Sequence, residues 1–345
     1  MVGVKANEGR AVQGVIVTTS RSIHMIIILI LCFTSALLLN SCTQKLPHSM
    51  LHPAGPKAAQ IAWLWWVMFN VYGVVFIVTI TLLVWALAVQ KKGKMVPGSR
   101  FVVIAGIAFP TLILVIMLLF ELRVGMEVSA DKSDYNVKVI GRGWWFEVIY
   151  PKYGIIDANE IHIPVNTMVG FELLSKGMIH SFWVPRLGGK RDQLPDHPNH
   201  LSLQADTPGV YHGTCTEYCA GQHAHMAFRV IAHTPELFHQ WLEKYQYVQT
   251  IPLKLSLVQG MNVYLQDGCA ACHSINGISQ ADIGPDLTHV GSRLTLGAGQ
   301  FENTWGSMSG WVANSQALKP GNKMPRTYLP PHELHTLIDY LRSLK

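Results

Sequence analysis

The sequence predicts a multidomain membrane protein in three parts: a two-helix transmembrane hairpin, an all-β domain outside the membrane, and a small all-α domain at the C-terminal end. Three observations carry this. Two long stretches, Ile61–Val89 and Phe101–Phe120, contain no charged residue. Between residues 135 and 232, short β-branched and aromatic runs alternate with turn residues, with no helix-period pattern of useful length. From Pro235 onward, helical spacing returns. The composition agrees: 49% hydrophobic and 14% charged residues is too apolar for an ordinary water-soluble chain of 345 residues.

In chain order, residues 25–39 form an apolar run behind Arg10 and Arg21, about the length of a signal-peptide core. The run leads to Leu39-Asn40-Ser41-Cys42, which resembles a bacterial lipoprotein cleavage site. Residues 1–42 are thus expected to be a signal segment and Cys42 a lipid anchor; the alternative is an ordinary cysteine behind an uncleaved anchor. The hairpin is expected over residues 55–122. Trp63, Trp65 and Trp66 suit an interface belt, and Pro110 is tolerated more readily in a membrane helix than in water. The connecting loop carries Lys91, Lys92, Lys94 and Arg100, which places it on the cytoplasmic side. Cys42 and everything after residue 120 then face outward.

The β domain is expected over residues 123–246. Tyr135–Ile140 alternates polar and apolar residues, and Trp144–Tyr150, Ile161–Pro164, Val169–Leu174 and Phe228–Ile231 are further strands. This spacing suits a sandwich or barrel. Thr234-Pro235 marks a helix start, with Thr234 as the N-cap, running to about Tyr245. Residues 253–345 form the last domain: a helix over Leu255–Leu265, a Gly-rich loop region, and a helix over His332–Leu344 with Leu334, Leu337, Leu341 and Leu344 on one face. The net charge of +6 is not a binding face. Residues 1–120 hold nine Lys and Arg against one Glu, so the surplus lies beside the apolar stretches, and nucleic acid is excluded as a partner.

Residues 215–226 read Cys-Thr-Glu-Tyr-Cys-Ala-Gly-Gln-His-Ala-His-Met. Cys215, Cys219, His223 and Met226 are a compact set of soft ligands, and thiolate, imidazole and weak thioether suit copper in electron transfer. His180 sits upstream at a strand end, and two cysteines allow two bridged coppers. A zinc site of Cys215, Cys219, His223 and His225 is the competing reading, but zinc has no use for the methionine. The set, with His180-Ser181-Phe182-Trp183-Val184-Pro185, resembles subunit II of cytochrome c oxidase across about residues 55–245. The resemblance implies a cupredoxin-like β-sandwich with a binuclear copper centre. In it Cys215 and Cys219 bridge, His180 and His223 each bind one copper, Met226 is a weak ligand, and Glu217 lends its backbone carbonyl. It also implies a magnesium or manganese site using Glu217 and Asp192, and electron arrival at Trp144 in the aromatic patch Gly141–Phe146, where simple strand packing is the alternative role. Two segments depart from the family. No acid precedes Pro110 in Val103–Pro110, where the family often has a proton-feeding glutamate, and Pro195-Asp196-His197-Pro198 replaces a Pro-Gly-Arg.

Cys269-Ala270-Ala271-Cys272-His273 is the attachment signal for a covalent c-type haem, with His273 placed on the iron. Gly284-Pro285-Asp286-Leu287 is expected to pack on the haem edge and bond the His273 ring. Met324, followed by Pro325, is the expected sixth ligand and Met308 its competitor. A redox-thiol reading would need a βαβ pattern, and none is present. The tail resembles a class I cytochrome c domain.

These resemblances together imply a haem–copper oxidase subunit II with a fused cytochrome c, in a bacterial inner membrane with both redox domains on the periplasmic side. The implied partners are the catalytic subunit I that reduces oxygen to water, other oxidase subunits, membrane lipid, and a soluble cytochrome c or similar donor. The alternatives are a nitric oxide reductase of the same superfamily, a quinol oxidase subunit, which would lack the copper ligands, and a membrane-anchored copper-delivery protein, which would need no haem.

Overall fold

A computed structural model describes residues 46–90, 98–129, 133, 135–246 and 251–345. The expected signal segment, Cys42 and most of the basic loop lie outside the described residues.

Helix α1 spans Pro56–Gln90. The second long helix begins as α2 (Ser99–Val103), passes through a π-helical turn over Ile104–Ala108, and continues as α3 (Phe109–Ser129). The π turn ends two residues before Pro110, which has no N–H for the carbonyl of Gly106 and whose ring crowds it; widening the turn accommodates it. Both helices are long and apolar enough to cross a membrane, and Val74, Phe76, Ile104 and Leu119 are exposed along them. Gln60 Nε2 donates to Glu127 Oε2 at 3.2 Å, and Trp63 lies 6.2 Å from Phe120, tying the two helices at one end. At that end α1 meets the β domain, where Lys57 Nζ donates to Ser202 Oγ at 2.7 Å.

The β domain is a sandwich of two five-stranded sheets. One has the order β3 (Ile155–Ala158), β2 (Trp145–Tyr150), β1 (Tyr135–Arg142), β5 (Val169–Lys176), β8 (Asn199–Leu203). The other runs β4 (Glu160–Pro164), β10 (Ala227–His233), β9 (Gly209–Cys215), β6 (His180–Trp183), β7 (Arg191–Gln193). Their inner faces meet over Val139, Phe146, Val148, Leu173, Phe182 and Phe228, with Phe182 stacked on Phe228 at 4.6 Å. Each such aromatic buries a large apolar area in an offset or edge-on contact. The expected strands are present, but Trp144 is not in one. Arg142 pairs with Trp145, so Gly143 and Trp144 form a two-residue hairpin turn with φ of 38° and 91°. A type I′-like turn needs positive φ at both positions, which a bulky aromatic rarely supplies.

Helix α4 (Pro235–Tyr245) starts as its sequence predicts, with the Thr234 hydroxyl accepting from Leu237 N. The C-terminal domain contains α5 (Leu255–Gln266), a two-stranded ribbon of β11 (Thr295–Leu296) and β12 (Phe301–Glu302), α6 (Trp305–Leu318) and α7 (Pro331–Ser343). Helix α6 occupies the region expected to be loop. Its N-cap Thr304 is readable, but Gly306, Gly310 and a kink at Asn314 hide the helical pattern. Helices α5 and α7 cross closely, because a Cβ at Gly260 would lie 2.1 Å from Thr336 O. Tyr264, Met308, Leu337, Ile338 and Tyr340 fill the core.

Candidate copper and haem sites

Strand β9 ends at Cys215 and β10 begins at Ala227, so the ligand-rich segment is the loop of an antiparallel pair, closed by Cys215 N donating to Met226 O at 2.9 Å. The loop turns back at Ala220, which has a φ of 65°. This brings the Cys215 and Cys219 sulfurs to 3.8 Å, too far for a disulfide, and both are free and buried. His180 arrives from β6, which pairs with the end of β9 through Phe182 and Cys215. Its Nδ1 lies 3.8 Å from Cys215 Sγ, while His223 Nδ1 lies 3.6 Å and Met226 Sδ 3.9 Å from Cys219 Sγ. The Glu217 carbonyl lies 3.4 Å from Cys215 Sγ. Two sulfurs sit at the middle, with an imidazole on each side and the thioether and a carbonyl at the edges.

The chemistry of this set suits a metal. Burial, and then the neighbouring Cys215, push the Cys219 thiol up to about 12, because two anions cannot share a dry site. A bound cation reverses that preference. Burial, then His223, lowers His180 to about 4, which keeps its imidazole neutral and ready to ligate. Among the described residues, the cluster of three or more metal-binding side chains is His180, Cys215 and Cys219. His225 is exposed and spare. Asp192 lies on β7 opposite Ser181, and among the described residues neither it nor Glu217 belongs to a group of three or more metal-binding side chains.

One packing feature escapes sequence reading. Gly141 on β1 lies against His180, and a Cβ there would be 2.5 Å from His180 Cδ2. Glycine is what lets the imidazole seat between the sheets.

The haem motif lies on a short 3₁₀ turn, Cys269–Ala271, after α5. Cys269, Cys272 and His273 line a cavity of about 550 Å³ together with Met308, Trp311, Val312, Met324 and Leu337, a size and lining suited to a cofactor. His273 Nδ1 is 2.7 Å from Pro285 O, as Gly284–Leu287 was expected to provide, which leaves Nε2 for a metal. Gly284 repeats the device of Gly141: its Cβ would lie 2.5 Å from His273 Cε1. Burial lowers the His273 pKa, against an opposing pull from the Pro285 hydrogen bond. Both methionines line the cavity. Met308 is also buried in the core of α6. Met324 lies on a loop fixed by Ser315 Oγ and Gln316 Nε2, which donate to Met324 O at 2.8 and 2.7 Å.

The copper domain forms one wall of this same cavity through Trp144, Trp145 and Asn159. Trp144 Nε1 donates to Cys219 O at 2.7 Å, and Lys323 of the C-terminal domain lies 6.0 Å from its ring centroid. The hairpin tip therefore touches a cysteine of the copper loop on one side and the haem cavity on the other.

The domains are locked by buried polar pairs. Arg293 meets Asp157 at 2.7 Å with both side chains nearly inaccessible, and Glu160 Oε1 accepts from Leu294 N and Thr295 N at 2.7 and 3.0 Å. His289 stacks on Tyr245 at 4.1 Å. These residues, and Lys319 beside the copper loop, were not foreseen. Their partners lie far away in sequence and nothing local signals them.

Comparison with known proteins matches two family models: "Cytochrome C oxidase subunit II, periplasmic domain" over residues 152–233 and "Cytochrome c" over residues 257–345. A cytochrome c oxidase subunit 2 of Alkalihalophilus pseudofirmus is 32% identical over 331 residues, covering 90% of this chain and 94% of that protein. One from Bacillus sp. is 30% identical over 277 residues, covering 74% and 78%. The solved periplasmic domain of subunit II of cytochrome oxidase from Bradyrhizobium japonicum aligns at 25% identity over 34% of this chain and 96% of that one, with a TM-score of 0.33.

Proposed function

Because this chain belongs to the cytochrome c oxidase subunit 2 family, we propose that its copper is a pair bridged by Cys215 and Cys219 and its haem is held covalently by Cys269 and Cys272. The chain is the electron-accepting subunit of a haem–copper oxidase, associates with the other oxidase subunits, and binds copper and haem. It is a membrane protein with periplasmic domains.

The observation that carries the finer reading is the arrangement of ligands about two free sulfurs 3.8 Å apart. His180 and His223 each serve one copper, and Met226 and the Glu217 carbonyl complete the set. A shared pair spreads the one-electron change over two metals, and the haem supplies a second one-electron site. His273, fixed by Pro285 O, and Met324 would hold the haem iron, a pairing that would raise its potential. Trp144 bridges the two sites. With the haem domain over it, Trp144 receives electrons from the chain's own haem, and a soluble cytochrome c or similar donor docks on the haem domain. A magnesium at Glu217 and Asp192, a lipid on Cys42, and a two-span topology in the bacterial inner membrane complete the proposal. The family resemblance, the outward-facing flanks and the two apolar helices support these.

The experiment is metal and haem analysis of the complex purified through a tag on this chain, with Cys219→Ser and Cys272→Ala. Two coppers and one acid-resistant haem per chain are expected. Cys219→Ser abolishes the mixed-valence copper EPR signal and spares the haem, and Cys272→Ala does the reverse. A single bound zinc, or haem fully extracted by acid, contradicts the reading.

A further inference from the structure

Besides Trp144, a buried cation joins both halves of the site. Lys319 follows α6 and is only 4% exposed. Its Nζ donates to His225 O at 2.7 Å and to Gly297 O at 3.0 Å. His225 ends the short turn His223–His225 that carries one of the proposed copper ligands. Gly297 opens a left-handed turn through Ala298 and Gly299, and Ala298 O accepts from Ala227 N at 3.0 Å, just past Met226. The next residue, Pro320, accepts a hydrogen bond from the Gln222 side chain. The C-terminal domain thus grips the copper loop at residues 222, 225 and 227, and Lys319 also lines the haem cavity.

A buried ammonium is normally paired with an acid. Among the described residues, no carboxylate lies within ion-pair distance of Lys319, and both of its acceptors are neutral carbonyls. Burial lowers its pKa to about 8, against an opposing pull from Cys219, so it remains a cation at neutral pH. Resting on the copper reading above, we infer that Lys319 is a positioning residue that sets the direction of electron flow: its uncompensated charge favours the reduced copper pair and its bonds hold the ligand loop against the haem domain. One electron leaves the haem and arrives at the copper pair. The charge of the pair falls by one, and a nearby fixed cation makes that arrival more favourable.

The test is redox titration of the purified complex, following the copper near-infrared band and EPR signal alongside the haem absorbance. Lys319 interacts electrostatically with Cys219, and at an effective dielectric of about 20 a unit charge at roughly 12 Å changes a one-electron equilibrium about tenfold. In Lys319→Met, the ratio of reduced to oxidised copper at a fixed mediator potential should fall by that factor, about 59 mV in midpoint. Lys319→Arg keeps the charge and should stay within twofold of the parent. If Lys319→Met loses copper, Lys319→Gln, which keeps a donor for His225 O, should show the same fall. Neutral variants that hold copper and remain within twofold overturn the inference, as does an Arg variant that falls as far as Met. Copper content of the parent complex is measured separately. Its absence would instead remove the copper reading.

Discussion

Gly141→Ala puts the packing of the copper site under direct strain. The new methyl would lie 2.5, 2.8 and 3.0 Å from Cδ2, Cγ and Cβ of His180, closer than unbonded carbons approach. The neighbour that must yield is a wholly buried ring between two sheets. Overpacking of this kind costs about 1–3 kcal/mol, and alanine in place of glycine returns about 0.5–1 kcal/mol of strand stability. The net penalty of about 1–2 kcal/mol falls on the position of the His180 ring, and so on copper binding more than on the fold. Copper affinity should drop roughly 5- to 30-fold, with altered EPR hyperfine structure. The assay is competitive copper titration of the full complex, with covalent haem content and haem absorbance as internal controls. A variant with parental affinity and an unchanged EPR pattern would refute the claim that Gly141 seats a copper ligand.

Three further outcomes follow from the same geometry. Gly284→Ala pushes on His273 from 2.5 Å, so the haem should stay attached while its ligation weakens, seen as a changed low-spin spectrum and a haem-domain melting point lowered by the equivalent of about 1–3 kcal/mol. Asp157→Asn leaves Arg293 buried without its anion, a loss of about 3–5 kcal/mol; calorimetry should show the copper and haem domains unfolding separately instead of together. Burial, and then Asp157, push Glu160 up to about 8. Its folded pKa lies above its unfolded one of about 4.3, so the folded chain binds more protons between these values. Its contribution to stability is therefore full at acid pH and is lost as pH rises towards 8, by up to about 1.4 kcal/mol per pH unit. Glu160→Gln should flatten the fall in melting temperature between pH 5 and 8, and an unchanged slope would assign that fall to other groups.

The parts of this molecule legible in the sequence are those set by near neighbours. Thr234-Pro235 announces α4 because an N-cap and a first-turn proline are local chemistry. Cys215, Cys219, His223 and Met226 lie within one loop, so their spacing carries their chemistry, and Cys269, Cys272 and His273 do the same. What was not legible depends on distant partners. Trp144 reads as a strand residue from its aromatic neighbours, but the pairing of Arg142 with Trp145 makes it a hairpin tip. That tip is held by a bond to Cys219, 75 residues away. Helix α6 was hidden by its glycines and by the kink at Asn314. The ion pair of Asp157 with Arg293 joins residues 136 apart, and Gly141 and Gly284 matter only because a histidine from another segment packs on each.

The central claim is that this chain receives electrons through its haem and copper sites and delivers them to an oxygen-reducing partner. The most direct measurement supplies an ascorbate-reduced donor to the complex purified through this chain and follows oxygen and nitric oxide consumption separately. The account predicts rapid, cyanide-sensitive oxygen uptake with negligible nitric oxide turnover, lost in the Cys219→Ser complex, which lacks the bridged copper pair. Preferential nitric oxide reduction, or oxygen uptake that survives loss of the copper centre, would contradict it.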